Sequence, residues 1–295
     1  MEMLQNNISD VALVLEGGGM RASYTSAALN VMLHEGIYFN YVVGISAGAT
    51  EAGNYLSRDF ARVRRSFVNL MLDRRAGGLG TVLHGRGYFD GEYIFEHTAG
   101  PDEFLPFDWE TFDRNPAQMR VGTFNSRTGE TKYWGREDFT SHERFLAIVR
   151  ASASIPIAMN PVTIDGDVYF DGGIGATGGI PLDAAIADGY ERFFIVLTRP
   201  RAYVKQPQGH PRLVRRLLKE YPLVADALFE RAGRYMETKR QILELEAEGK
   251  AYVFWAEDMM VKNGERNAFK LGQNYELGEK QAWRELPKWK EFLGL

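Results

Sequence analysis

Twice between Val11 and Leu56, a short apolar run breaks into glycines and is followed by a helical pattern. Val11-Ala12-Leu13-Val14-Leu15 has no polar residue, which reads as a strand buried on both faces, as in a parallel sheet. Gly17-Gly18-Gly19 follows. A helix is then expected from about Met20 to His34, with Ala27, Ala28, Val31 and Met32 at helical spacing and Gly36 as its stop. Tyr41 to Val43 is a second strand, and Gly44-Ile45-Ser46-Ala47-Gly48 leads into a helix ending near Leu56. This rhythm predicts an α/β fold: a mostly parallel central sheet with helices on both faces.

The rest of the chain continues the pattern less regularly. Arg58 to Arg75 is arginine-rich and helical in spacing, and Ala76 to Gly91 reads as a mobile loop. Gln118 to Trp134 is a hairpin turned at Arg127-Thr128-Gly129, Phe139 to Ala153 a helix, and Val162 to Phe170 a strand pair turned at Asp165-Gly166. Pro181 to Asp188 is a helix, Arg192 to Leu197 a strand, His210 to Glu248 one long helical stretch, Ala251 to Ala256 a late strand, and Leu271 to Leu293 mostly helix. The expected organisation is a catalytic core over 11–200. Residues 201–295 form a largely helical region packed on the same domain, because the late strand returns to the sheet.

Composition narrows the function classes. The 295 residues are 45% hydrophobic and 25% charged with a formal net charge of -4, so a buried core is expected and nucleic acid is not an expected partner. With no cysteine, disulfides, thiolate metal sites and a cysteine nucleophile are excluded. Met1 to Asp10 lacks a signal-peptide pattern, and no segment approaches the ~20 apolar residues of a membrane span. The expected location is cytoplasmic, with any lipid met from the water side. Oligomeric state is not legible.

Gly44-Ile45-Ser46-Ala47-Gly48 fits G-x-S-x-G on a strand-to-helix turn, where a serine hydroxyl is held exposed by a strained backbone. An ordinary turn with Ser46 as helix N-cap fits the same letters. Gly17-Gly18-Gly19, with Arg21 just inside the helix, offers backbone N–H groups to an anion: a tetrahedral oxyanion in acyl transfer, or a nucleotide phosphate. The nucleotide alternative lacks both the acidic residue about 20 positions on and a P-loop lysine. Asp171-Gly172-Gly173 ends a strand where glycines permit close approach. None of the five histidines (His34, His84, His97, His142, His210) sits in a motif-like setting.

Taken together, these motifs resemble the patatin-like phospholipase family. The glycine loop Gly17 to Arg21, the Ser46 turn, the segment Ala151-Ser152-Ala153-Ser154-Ile155-Pro156 and Asp171-Gly172-Gly173 stand in that family's order. The resemblance spans about Val11 to Leu197, with Ala22 where the family usually has glycine. It implies a serine acyl hydrolase of lipid esters, with Ser46 as nucleophile and Asp171 as base. It also implies an oxyanion hole at Gly17, Gly18, Gly19 and Arg21, and no metal or other cofactor. Asp171 is expected to be buried beside Ser46, since an ordinary aspartate, near 3.9, is a poor base at neutral pH.

The substrate expected is a lipid ester or phospholipid. Arg199 to Lys219 carries seven cations and no acid, with Leu213, Val214, Leu217 and Leu218 at helical spacing, so it is an expected peripheral membrane contact beside the alternative of a helix packed on the core. An acyltransferase using the same two residues, a Ser-Asp-His hydrolase using His210, and a lipid- or nucleotide-binding module without turnover are the competing readings.

Overall fold

Strand β1 (Ala12–Leu15) sends Leu13 and Leu15 into one apolar core and Ala12 and Val14 into another, all four fully buried. A strand buried on both faces needs a layer of helices on each side. The remaining elements supply them in this chain order: α1 (Ala22–His34), β2 (Tyr41–Ile45), α2 (Ala47–Leu56), α3 (Phe60–Val68), α4 (Leu79–Leu83), α5 (Gly91–Glu96), α6 (Trp109–Arg114), β3 (Gln118–Asn125), β4 (Thr131–Trp134), α7 (His142–Ala153), β5 (Val162–Ile164), β6 (Asp167–Asp171), α8 (Leu182–Ala187), β7 (Phe193–Leu197), α9 (Pro211–Leu217), α10 (Pro222–Ala247), β8 (Ala251–Trp255) and α11 (Ala268–Leu293). A computed structural model describes residues 4–295. Residues 1–3, the start of the polar N-terminal stretch, lie outside the described residues.

Among the described residues the sheet has eight strands. β1 lies between β2 and β7, β8 extends the β7 edge, and all of these pairings and β2–β3 are parallel, whereas β4, β5 and β6 add antiparallel pairs. The fold is thus α/β with a mostly parallel centre and helices around it. The register of β3 decides where chemistry can occur. A strand has only two edges, and β4 occupies one from Val121 to Phe124. β2 and β6 must share the other: Ile45 pairs with Gly122 and Asp171 with the next residue, Thr123. Two strands running in opposite directions therefore meet end to end at their C-termini.

The C-terminal segment is built into this framework. β8 pairs with β7 from Phe193↔Ala251 to Leu197↔Trp255. α11 crosses α1 where Gly278 lies against the Tyr24 carbonyl, and a Cβ there would come within 3.1 Å of Tyr24 Cα. The β5–β6 turn is the expected one: Asp165 and Gly166 both take positive φ, 52° and 86°, the twist that suits a two-residue hairpin.

Several expectations are corrected. The helix expected over Arg58 to Arg75 stops at Val68, and two short 3₁₀ turns follow at Leu70–Leu72 and Arg74–Ala76. The loop expected over Ala76 to Gly91 contains α4. Helix α6 was not expected, although Asp108 caps it by accepting from the Thr111 N–H at 2.9 Å. The single stretch from His210 to Glu248 is two helices, because Pro222 lacks an N–H to continue α9 and pushes Tyr221 out of helical geometry (φ -131°, ψ 65°).

The basic stretch Arg199 to Lys219 is not one amphipathic helix. Only Pro211–Leu217 is helical, Arg201 pairs with Glu246, and Arg215 pairs with Asp226 at 2.7 Å. Arg199 and Lys205 line an internal cavity instead.

Candidate active site

Ser46 stands between β2 and α2 with φ 57° and ψ -123°, a conformation that is rare for any residue with a side chain. Such strain costs on the order of 1–3 kcal/mol and persists only where the surroundings over-determine it. Here they do. A Cβ on Gly44 would come within 2.6 Å of the Ala49 nitrogen, and one on Gly48 within 2.8 Å of the Leu15 carbonyl carbon. The flanking glycines let the turn close tightly against itself and against β1. The Ser46 N–H donates to Ser152 Oγ at 2.8 Å, and that hydroxyl donates to the Gly122 carbonyl at 2.6 Å. Ser152, at the end of α7, thus ties the turn to β3.

Although Ser46 occupies the N-cap position of α2, its hydroxyl makes no capping bond. It donates to Asp171 Oδ2 at 2.7 Å. The end-to-end meeting of β2 and β6 produces this contact across 125 residues of sequence. Both residues are 5% exposed. The other Asp171 oxygen accepts from the Gly173 N–H at 2.7 Å, and the Asp171 N–H donates to the Ser154 carbonyl at 3.0 Å. Gly172 packs on β3, where a Cβ would come within 2.7 Å of the Gly122 carbonyl carbon. Burial pushes the Asp171 carboxyl above the ordinary aspartate range. The nearby Arg231 charge, the Ser46 hydroxyl and the Gly173 N–H oppose that shift in part.

The glycine loop lies beside this pair: a Cβ on Gly17 would be 3.1 Å from Ser46 Cβ. Its three amides are not equivalent. The Gly17 N–H donates to the Gly179 carbonyl at 3.0 Å, which corrects the expectation that it serves as an oxyanion donor. The N–H groups of Gly18 and Gly19 have no acceptor among the described residues, and both glycines line the cavity that holds Ser46. The Arg21 N–H donates to the Gly18 carbonyl at 3.2 Å. Its guanidinium is buried and donates through Nε to Thr198 Oγ1 at 3.3 Å, and Thr198 in turn donates to Glu16 through its N–H and its hydroxyl, at 2.6 and 3.0 Å. Burial pushes Arg21 down to about 10, against the raising effect of Glu16. Arg21 therefore braces the loop on β7 and adds positive charge behind it.

Two cavities open on Ser46. One encloses about 710 Å³, open solvent at its mouth included, and is lined mainly by apolar side chains such as Phe67, Leu70, Met71, Phe89, Phe95 and Met159. The other is polar and holds Asp171, the glycine loop, Arg21, Arg199, Lys205 and Arg231. Gly19, Ser46, Ile155 and Asn263 line both. None of the five histidines lines either one. His210 is exposed at the start of α9, so the site offers Ser46 no imidazole.

A family profile described as "Patatin-like phospholipase" matches residues 13–186, more than half of the chain. The chain belongs to the patatin-like phospholipase family. A second profile, described as a domain of unknown function (DUF6363), matches residues 221–294. Among curated proteins, the uncharacterized protein YjjU of Escherichia coli (strain K12) is 24% identical over 216 residues. That match covers 70% of this chain and 56% of YjjU, so the chain spans just over half of that relative's length. The crystal structure of VipD from Legionella pneumophila superposes with a TM-score of 0.50 at 11% identity, covering 97% of this chain and 68% of VipD, a likeness of fold.

Ser152, Arg231 and Asn263 were not singled out by the sequence. Ser152 lay within a recognised segment but had no assigned role. Arg231 and Asn263 belong to the C-terminal third and reach the site only through the fold.

Proposed function

We propose that the protein hydrolyses carboxylic esters of lipids through an acyl-enzyme on Ser46, with Asp171 as base. The observation that carries this reading is the 2.7 Å hydrogen bond from Ser46 Oγ to a buried Asp171 at a junction of apolar and polar cavities. Asp171 Oδ2 takes the hydroxyl proton as Oγ bonds to the ester carbonyl carbon. The N–H groups of Gly18 and Gly19, at the start of the helical segment, receive the oxyanion, whose stabilisation is worth on the order of 3 kcal/mol per donor. The carbon–oxygen bond to the alcohol breaks, and the alcohol leaves with the proton held by Asp171. Water then attacks the acyl-enzyme, giving its proton to Asp171, and the fatty acid departs as Ser46 is reprotonated. The apolar cavity suits the acyl chain, being lined mainly by hydrophobic and aromatic side chains.

A fluorophosphonate probe tests the nucleophile directly. Mass spectrometry is expected to find the adduct on Ser46, and labelling is expected to vanish in Ser46→Ala. A folded protein that takes up no probe is a binding module without this chemistry.

Contact with a lipid surface is proposed through α4 rather than Arg199 to Lys219. Leu79 and Leu83 are 79% and 86% exposed. Their segment is pinned by backbone bridges to Phe89 and Met159, which line the apolar cavity. Exposed leucines of this kind bury in the interface of a bilayer. In vesicle co-sedimentation, the double variant Leu79→Asp, Leu83→Asp is expected to pellet several-fold less than wild type. If Leu213→Asp, Leu217→Asp abolishes pelleting and the α4 variant does not, the contact lies at α9.

A further inference from the structure

Asn263 lies in the loop between β8 and α11 and lines both cavities beside Ser46 and Gly19. Neither end of its side-chain amide is bonded within the protein. Oδ1 is enclosed against Gly19 without a donor. That leaves Nδ2 as the end facing the cavities, with no acceptor among the described residues. A buried polar atom without a partner is costly and rare in a folded protein, so it calls for a reason.

The loop is not free to turn this amide elsewhere. The Met20 N–H donates to the Asn263 carbonyl at 2.9 Å, and the Met20 carbonyl accepts from Ser23 Oγ at 2.9 Å. Ser23 Oγ accepts in turn from Asn274 Nδ2 on α11 at 2.9 Å, and Asn274 Oδ1 accepts from the Met260 N–H at 3.0 Å. These bonds close a ring from the glycine loop through α1 and α11 back to the segment that carries Asn263. Asn274 is fully buried within it, and Val261 packs in one apolar cluster with Met20 and Leu271. Gly19 is fitted to the same neighbour: its φ is 53°, and a Cβ there would lie 2.6 Å from the Asn263 carbonyl oxygen. An amide fixed in advance, with no bond to break first, meets developing negative charge without reorganisation, which is what an oxyanion donor needs.

We infer that Asn263 Nδ2 is a third oxyanion donor, completing with the Gly18 and Gly19 N–H groups the hole in which the acyl carbonyl oxygen becomes negative. It donates a hydrogen bond and transfers no proton. The inference rests on the acyl-enzyme reading, which supplies the oxyanion. It also gives the segment matched as a domain of unknown function a part in the chemistry, since Asn263 lies within it.

Steady-state kinetics on a short-chain p-nitrophenyl ester test the donor first. Asn263→Ala is expected to lower kcat by about 10²-fold while KM changes by less than about 3-fold, because the bond forms only as the oxyanion does. Asn263→Asp keeps the size and the packing on Gly19 but loses the donor, so it is expected to lose at least as much. It carries the test alone should circular dichroism show the alanine variant unfolded. An Asn263→Asp protein within about 3-fold of wild-type kcat has a side chain that only packs, and overturns the inference. A KM that rises with kcat unchanged does the same.

The second measurement isolates the tetrahedral adduct. An alkyl trifluoromethyl ketone is attacked by Ser46 Oγ, its proton passing to Asp171, and the resulting oxyanion has no leaving group to expel. The alcohol made by reducing that ketone has the same chain and forms no adduct. In Asn263→Ala and Asn263→Asp, Ki for the ketone is expected to rise about 10²-fold and Ki for the alcohol to change by less than about 3-fold. Equal changes in the two, or none, overturn the inference. Fluorophosphonate labelling separates this failure from that of the underlying reading. If wild type labels at Ser46 and turns over ester while the Asn263 variants are equally active, only the third donor falls. If wild type neither labels nor turns over ester, the acyl-enzyme falls and the donor with it.

Discussion

Asp171→Asn is expected to lower kcat on a short-chain p-nitrophenyl ester by about 10³-fold, an effect of ~4 kcal/mol on the barrier. The asparagine fits the same space and can still accept from the Gly173 N–H, so the fold is expected to persist, as circular dichroism and the melting temperature would show. What is lost is the proton acceptor 2.7 Å from Ser46 Oγ. Ser46→Ala should cost at least as much, and the double variant should be no worse than Ser46→Ala alone, as the proposed Ser46–Asp171 mechanism requires.

The pH profile carries the sign. Burial raises the Asp171 pKa above that of a free aspartate, so its ionised, basic form appears only at higher pH. Activity is expected to climb with pH through that raised value, and the residual activity of Asp171→Asn should lack this limb. Near-normal turnover by a folded Asp171→Asn protein would remove Asp171 from the mechanism.

Gly48→Ala is expected to destabilise the protein by about 3 kcal/mol and to lower the melting temperature by roughly 5–10 °C. The added methyl would collide with the backbone of Leu15 and lie 3.0 Å from the Glu16 carbonyl oxygen. β1 cannot retreat, because it is paired with β2 on one edge and β7 on the other and is buried on both faces. The turn that strains Ser46 would have to open, so esterase activity should fall with stability. Gly233→Ala provides the contrast. Gly233 lies exposed within α10 with nothing near its Cβ, so alanine there should be neutral or stabilise by up to about 1 kcal/mol. Equal melting temperatures for Gly48→Ala and wild type would show that the turn has room.

The site was legible where chemistry depends on local backbone shape. Ser46 stood out because a tight strand-to-helix turn demands small neighbours, and Asp171 because its glycines mark a close approach. The break between α9 and α10 also had a signal, in Pro211 and Pro222 at the two helix starts. Ser152 had none of its own. Its role follows from lying one hydrogen bond from the Ser46 N–H and another from the Gly122 carbonyl, a relation that no pattern within α7 reveals. The resemblance named three glycines as donors, but the fold commits the Gly17 N–H to the Gly179 carbonyl, a contact between distant segments that no local pattern reveals.

By itself, the order of residues determined the α/β class, the buried strands and the two motif turns, because apolar runs and glycine spacing act over a few neighbouring positions. Tertiary structure alone decided which side chains meet. β2 and β6 converge on one edge of β3, which brings Ser46 to Asp171. The packing of α10 and the loop after β8 around the glycine loop brings Arg231 and Asn263 to the same cavity. Such contacts join residues far apart in the chain, and they follow from strand register and helix packing, which exist only once the whole core has formed.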